Sequence, residues 1–379
     1  MSCPLCGAQA LRPCAELRDV PVLVNALYSD AEAARSCGRG DITLEFCQSC
    51  GHVFNSSFDP NKIEYLGDYE TSLHASARFC DWAAALATRL IQEHELENRC
   101  VLEIGCGRGE FLALFAKRCI AVGFDQSFDP KRVQIESGVS IHSRYFDPDQ
   151  DQERGSLVIS RHVLEHLADP VGFLKLLGRA CSDDGALYVE VPNGAWLMQE
   201  GSIWDLIYEH VSIFTPASLS FAFAQAGLCQ TSLAPSYGEQ FLAIEGRHGQ
   251  APLPPLSPAP WLAAQERFSA ALEQRIAQFS RLLAKAQRQD QRIALWGAGS
   301  KGVSFLNFVP EAESVACVID KNPRKHGAHV AGTGQRILSP EEASKEPLDL
   351  VLVMNPLYQA EIQSELAQLG QSPELLSSL

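Results

Sequence analysis

The sequence predicts an α/β protein: a doubly wound sheet, a small metal-binding module before it, and a second Rossmann-like α/β domain behind it. Three observations carry this. Residues 101–110, VLEIGCGRGE, are an apolar run holding an acid (Glu103), then a turn dense in glycine (Gly105, Gly107, Gly109), with apolar residues from Phe111 onward. That is the strand, turn and helix start of a βαβ unit. The same order recurs at residues 292–296, with the turn Gly297-Ala-Gly299-Ser-Lys301-Gly302 and an apolar helix through Phe305 and Phe308. At the front stand two C-x-x-C-G knuckles, Cys3/Cys6 and Cys47/Cys50.

The knuckles lie about 40 residues apart and supply four thiolates, a full tetrahedral set for zinc. Four cysteine ligands leave no open position, so the expected Zn2+ is structural. Cys14 and Cys37 have no partner at knuckle spacing. The other cysteines sit in apolar segments and read as small buried hydrophobes of a reducing compartment. Cys106, inside the glycine turn, reads as a small residue there. Unligated thiols or a redox pair are the competing reading.

Along the chain, residues 1–60 are expected to form the zinc module from short strands. A helical pattern covers residues 61–97, with Trp82, Leu86, Leu90 and Ile91 at helical spacing. Strands are expected at 101–104, 120–124, 157–159, 186–191 and 240–245, with helices starting near Glu110 and Asp169. Asp169-Pro170 and Thr215-Pro216 each read as an N-cap with proline at the first helical position. The main domain is expected to end near residue 250. Residues 251–260, APLPPLSPAP, form a proline-rich linker. A long amphipathic helix follows to about residue 288. The last domain, 289–379, carries strands at 292–296, 315–319 and 350–354 and a final helix from Leu357.

The chain of 379 residues is 46% hydrophobic, enough for full cores in two or three domains, and its net charge is −15. An acidic chain argues against nucleic acid and anionic membrane partners. No signal peptide is visible, and no apolar run approaches the roughly 20 residues that span a bilayer. A cytoplasmic protein, monomer or homodimer, is expected.

Glycine spacing selects the ligand of the first turn. A dinucleotide fingerprint reads G-x-G-x-x-G, with the pyrophosphate on the helix N-terminus. Here the spacing is G-x-G-x-G, and Glu110 would oppose a pyrophosphate. Asp125 closes the run 120–124, where a carboxylate can hold the two hydroxyls of a ribose. The segment resembles motif I of class I S-adenosylmethionine-dependent methyltransferases, whose donor carries a sulfonium and an amino acid but no phosphate. Any βαβ unit with a glycine-rich turn is the competing reading. The resemblance implies cofactor contacts from Glu103, Gly105, Cys106, Gly107 and Asp125. It adds Tyr69 near the methionine end, Phe146 and Asp147 near the adenine, and His162 over the same pocket.

Over essentially its full length the chain is similar to the sugar C-methyltransferases. The carriers are the paired knuckles, LEIGCGRGEFL, IYEHVSIFTP, WGAGSKGVSFLN and VIDKNPRKHG. Carbon methylation needs a base for the proton beside a carbonyl and a group to stabilise the enolate oxygen. Histidine near neutral pKa suits the first task. By resemblance His210 is the general base and Glu209 its orienter, Tyr208 offers a phenol to the oxyanion, and His166 polarises the substrate. That family commonly reads Tyr-His-Glu-His where this chain has Ile207-Tyr208-Glu209-His210. A surface histidine at 166 and a buried, cap-closing histidine at 210 are the competing readings. Asn193, Gly299, Lys301 and Asp320 are the substrate-binding candidates, the turn amides and Lys301 taking the diphosphate of a nucleotide-linked deoxy-keto sugar. Packing alone, or a dinucleotide such as NAD, is the competing role of that turn. O- or N-methylation of another small metabolite is the alternative reaction, and a non-catalytic nucleotide-binding protein the alternative class.

Overall fold

A computed structural model describes residues 1–379 except 64–68, 132, 134, 250–251, 255–258 and 379. The central sheet has seven strands: β1 (Cys100–Ile104), β2 (Ile120–Phe124), β3 (Val139–His142), β4 (Gly155–Arg161), β5 (Cys181–Pro192), β6 (Leu228–Ser236) and β7 (Phe241–His248). Their order is β6-β7-β5-β4-β1-β2-β3. Only β7 runs against its neighbours. The strand order reverses between β1 and β4, so ligands are expected beyond the C-terminal ends of those strands.

Local chemistry sets the helices around this sheet. Ser76 caps Ala77–Glu93, which buries Phe79, Ala83, Leu86, Ala87, Leu90 and Ile91 on one face. Asp169 accepts from the Gly172 amide at 2.8 Å and starts Pro170–Ala180; Thr215 and Ser218 close a reciprocal capping box at Pro216–Gln225. Both proline-led caps stand where the sequence puts them.

Two expectations change, and two strands were missed. The helix after the glycine turn is a single tight 3-10 turn, Leu112–Leu114. Only residues 110–119 separate the turn from β2, too short a crossover for a regular helix. The helical pattern from residue 61 gives a 3-10 turn at Pro60–Lys62, capped by Asp59, and the real helix begins after Ser76. The edge strands β3 and β6 escaped the apolar-run reading, because β6 exposes most of its residues and β3 buries none of its residues fully. Of the proline-rich linker, residues 251 and 255–258 lie outside the described residues.

The N-terminal sheet pairs Leu11–Pro21, Arg39–Cys47, Val53–Asn55 and Ser212–Ile213, all antiparallel. Its first strand runs 11 residues, longer than expected, and its last is lent by the main domain. Its core is continuous with Trp204, Phe268, Phe279 and Phe305, so the head, the long helix Ala259–Arg288 and the C-terminal sheet share one apolar body. Trp204 is fully buried, edge-on to Phe279, and its indole N–H donates to the Ser378 carbonyl at 3.0 Å.

The C-terminal sheet is all parallel: β8 (Ile293–Trp296), β9 (Cys317–Ile319), β10 (Ile337–Leu338), β11 (Leu350–Val353) and β12 (Glu374–Ser377), in the order β10-β9-β8-β11-β12. The short β10 and the half-exposed β12 were not legible as apolar runs. The amides of Gln240 and Asn355 bond each other reciprocally at 2.9 Å, and Tyr237 donates to Tyr358 at 2.7 Å, joining this domain to the central sheet.

Candidate active site

The cradle stands at the end of β1. Gly105 N donates to the Phe124 carbonyl at 2.8 Å, clamping the turn to β2. Gly107 adopts φ 54°, and nothing lies within 4 Å of where its side chain would be, so a ligand can lie against its main chain. Its amide donates to Asp125 Oδ2 at 2.8 Å, while the Ser127 amide and hydroxyl donate to Oδ1 at 2.8 and 2.6 Å. Asp125 is thereby aimed and remains half-buried with lone pairs to offer a diol. Cys106 is buried against Gly123, and burial pushes its thiol above the ordinary range, so it is inert as a nucleophile.

Beneath the cradle lies a buried charged cluster. Arg161 donates through Nε to Glu190 Oε1 at 2.9 Å and stacks its guanidinium on Phe111, 4.2 Å from the ring centre. Glu190 also accepts from Tyr188 and Ser236, each at 2.8 Å. Burial opposes its charge, but Arg161 and His162 hold its carboxyl down at about 2. His162, at φ 54°, is likewise opposed by burial, yet Glu165 and Glu190 raise it to about 9. Glu103 is 3% exposed, and burial raises its carboxyl to about 8. Glu103 Oε2 and Arg161 Nη2 are buried without a hydrogen-bond partner among the described residues. Unmatched buried polar atoms beside an open cradle suit a zwitterionic, hydroxylated ligand. S-Adenosylmethionine, with its amino acid, sulfonium and ribose, fits that set.

Directly after β4, the neighbour of β1, His166 meets His210 with ring centres 4.9 Å apart, nearly perpendicular. The Glu209 carbonyl accepts from His166 Nδ1 at 3.0 Å, which fixes the proton on that nitrogen. In its neutral form His166 therefore presents an acceptor, not a donor, to a substrate. Burial, then His166, lower His210 to about 3, well below the near-neutral base expected; Glu165 opposes them.

Several candidates stand elsewhere than expected. The Glu209 carboxylate is 1% exposed and accepts from the Val24 amide at 3.0 Å and from the Tyr69 hydroxyl, so it orients His166 through its main chain and not His210 through its side chain. Tyr208 is fully buried in the N-terminal core, and its hydroxyl binds the main chain of Asp59, accepting from the amide at 2.8 Å. That phenol is committed away from the cleft. Asn193 caps Gly194–Glu200 and donates to the Glu239 carbonyl at 2.8 Å. Phe146 is buried edge-on to Phe124, and Asp147 caps its own loop, accepting from Asp149 N and Gln150 Nε2.

In the C-terminal turn, Asp320 Oδ2 accepts from Ala298 N at 2.9 Å, and its Oδ1 from Asn322 N at 2.8 Å. Lys301 pairs with Asp205 of the main domain and lies 5.2 Å over the Trp196 ring. Gly299 faces open space. Glu165 and Arg161 were missed by sequence reading. The signal was available: in SRHVLEH, Arg161 closes β4, and Glu165 falls three residues after His162 and directly before His166.

The four knuckle sulfurs lie within 4.8 Å of one another, Cys3 to Cys50 at 3.7 Å and Cys6 to Cys47 at 3.6 Å. A tetrahedron of zinc–sulfur bonds about 2.3 Å long has edges of about 3.8 Å, so the set fits a structural metal ion. Gly7 and Gly51 take φ 74° and 73° directly after each knuckle, and amides within the knuckles point at the sulfurs.

The sheet order, the glycine cradle and Asp125 define a class I methyltransferase that uses S-adenosylmethionine. Residues 74–233 match the methyltransferase domain family and residues 261–373 the C-methyltransferase C-terminal domain. The two matches together support an S-adenosylmethionine-dependent C-methyltransferase. No curated protein matches the sequence. Among solved structures it is similar to the magnesium protoporphyrin IX methyltransferase of Synechocystis PCC 6803 (13% identity, 48% of this chain and 90% of that one, TM-score 0.36). It is also similar to an S-adenosylmethionine-dependent methyltransferase of Clostridium acetobutylicum ATCC 824 (10%, 47% and 94%, 0.37) and to the N-methyltransferase NodS of Bradyrhizobium japonicum WM9 (17%, 46% and 99%, 0.35). Among the described residues no helix is long and apolar enough to cross a membrane.

Proposed function

We propose that this enzyme methylates a carbon of a nucleotide-linked deoxy-keto sugar through an enolate, with His210 removing the proton beside the carbonyl. The observation that carries the reading is the His166–His210 pair, with ring centres 4.9 Å apart directly after β4, the strand beside the one that carries the glycine cradle. When bound, S-adenosylmethionine supplies an electrophilic methyl group. This chain's part is to align donor and acceptor and to move one proton. His210, held neutral by its burial, accepts the proton at its ring nitrogen, and the electron pair of the broken C–H bond passes to the enolate. His166 fixes a sugar hydroxyl as an acceptor. The open turn at Gly299 receives the nucleotide end, with Asp320, Lys301 and Asn193 as its candidate contacts. Residues 1–60, 61–250, 251–288 and 289–379 are the proposed divisions, and the enzyme works in the cytoplasm as a monomer or homodimer.

The test is His210→Gln. Turnover is expected to fall at least about 100-fold, within the usual contribution of a general base. Donor affinity measured by titration calorimetry should stay unchanged. Wild-type enzyme should also exchange the substrate's α-proton with deuterated solvent when no donor is present. Near-normal turnover in the variant, or retention of that proton in the wild type, would reject the enolate route in favour of methylation on oxygen or nitrogen.

A further inference from the structure

One buried carboxylate, already facing His162, has a second pair of groups within reach. Glu165 lies in the 3-10 turn Leu164–His166, directly after β4, and is 1% exposed. Neither of its oxygens has a hydrogen-bond partner among the described residues. An ionised carboxylate in that state is costly unless positive charge stands close by. His162 supplies one such charge, and the histidine pair can supply a second when it takes a proton. A Glu165 oxygen, a His166 nitrogen and a His210 nitrogen all lie within 4.8 Å of one another, and His162 Nδ1 is 3.5 Å from Oε1.

The proton step creates the matching need. A substrate C–H bond breaks, its electron pair stays on the substrate as the enolate, and the proton arrives on His210. The resulting imidazolium faces His166, with His162 and Lys301 also acting on it as cations. Burial and all three of these groups disfavour the new charge; Glu165 favours it. The neighbouring carboxylate, Glu209, is spoken for, since it accepts from the Val24 amide and the Tyr69 hydroxyl.

We propose that Glu165 is the positioning residue of the histidine pair, its carboxylate holding the imidazolium that forms when His210 takes the substrate's proton. Glu165 stays ionised throughout and receives no proton. It touches neither substrate nor donor; it acts through His210. The inference rests on the proposed role of His210.

Glu165→Gln keeps the shape and removes the charge. We expect kcat to fall at least tenfold, with KM for the acceptor and donor affinity unchanged, and α-proton exchange without donor to slow by the same factor. The melting temperature should not fall. Glu165→Asp, which restores the charge at a shorter reach, should recover part of both rates. Wild-type exchange in Glu165→Gln would overturn the proposal, as would an equal loss in Glu165→Gln and Glu165→Asp. The two failures separate cleanly. An active His210→Gln removes the base itself, whereas an inactive His210→Gln beside a fully active Glu165→Gln removes only the role of Glu165.

Discussion

The chain contains the same device twice. In each half a glycine turn follows the first strand, and the acid at the end of the next strand accepts from a turn amide: Asp125 from Gly107 at 2.8 Å, and Asp320 from Ala298 at 2.9 Å. The surroundings differ. Two residues before the first glycine of each turn, β1 carries Glu103 and β8 carries Leu295, both buried. Among the described residues, Glu103, Arg161 and Glu165 keep buried atoms without hydrogen-bond partners around the first turn, and Asn322 Nδ2 alone does so beside Asp320. Around the second, Asp320 also meets Lys325, and Lys301 is tied to Asp205. A shared backbone motif thus says where a ligand can lie, while unmatched polar atoms say where one is needed.

Asp125→Ala and Asp320→Ala should separate the halves most widely. The first is expected to weaken donor binding by about 10- to 100-fold, the worth of a charge-assisted contact of about 1.5–3 kcal/mol. The second should leave donor affinity unchanged and lower the melting temperature, because Lys325, 5% exposed, loses its carboxylate. Calorimetric titration with scanning fluorimetry reads both, and equal donor affinities would erase the distinction.

A smaller effect comes from Glu103. Burial raises its carboxyl to about 8 in the folded state, above the ordinary glutamate range of the unfolded chain. Its contribution is fully present at acid pH and is lost as pH rises toward 8. Glu103→Gln should therefore flatten the fall in apo-protein stability between pH 6 and 8 by about 1–2 kcal/mol. Denaturant melts at the two pH values measure it, and identical slopes for the two proteins would place the Glu103 carboxyl in its usual range.

The smallest effect compares Gly107→Ala with Gly299→Ala. Both positions face open space, but Gly107 has φ 54° and Gly299 φ −95°. Alanine should cost about 1 kcal/mol at residue 107 and nothing measurable at 299. Gly299→Ala should weaken acceptor binding if the second turn receives the nucleotide end; unchanged acceptor affinity would remove that role.

Much of this was legible in the sequence because the signals are local. Knuckle spacing, proline-led caps and apolar strands over glycine turns each express the physics of a few adjacent residues. The edge strands β3, β6 and β12 were not legible, since exposed strands need no apolar run. At the site, motif residues were found but their orientation was not. Tyr208 and Glu209 are neighbours, yet one turns its hydroxyl to Asp59 and the other its carboxylate to Val24. Both partners lie about 150 residues or more away in the chain, beyond any local pattern. Glu165 was passed over because an acid between two histidines looks like a solvated turn until its burial is known.

One main-chain contact joins the head to the histidine pair. The Val24 amide that grips Glu209 belongs to the head, and Glu209 in turn sets the ring of His166. The strand that ends in Cys47 pairs with Leu11–Pro21, which ends three residues before Val24, so the fold of the head and the setting of that ring belong to one structure.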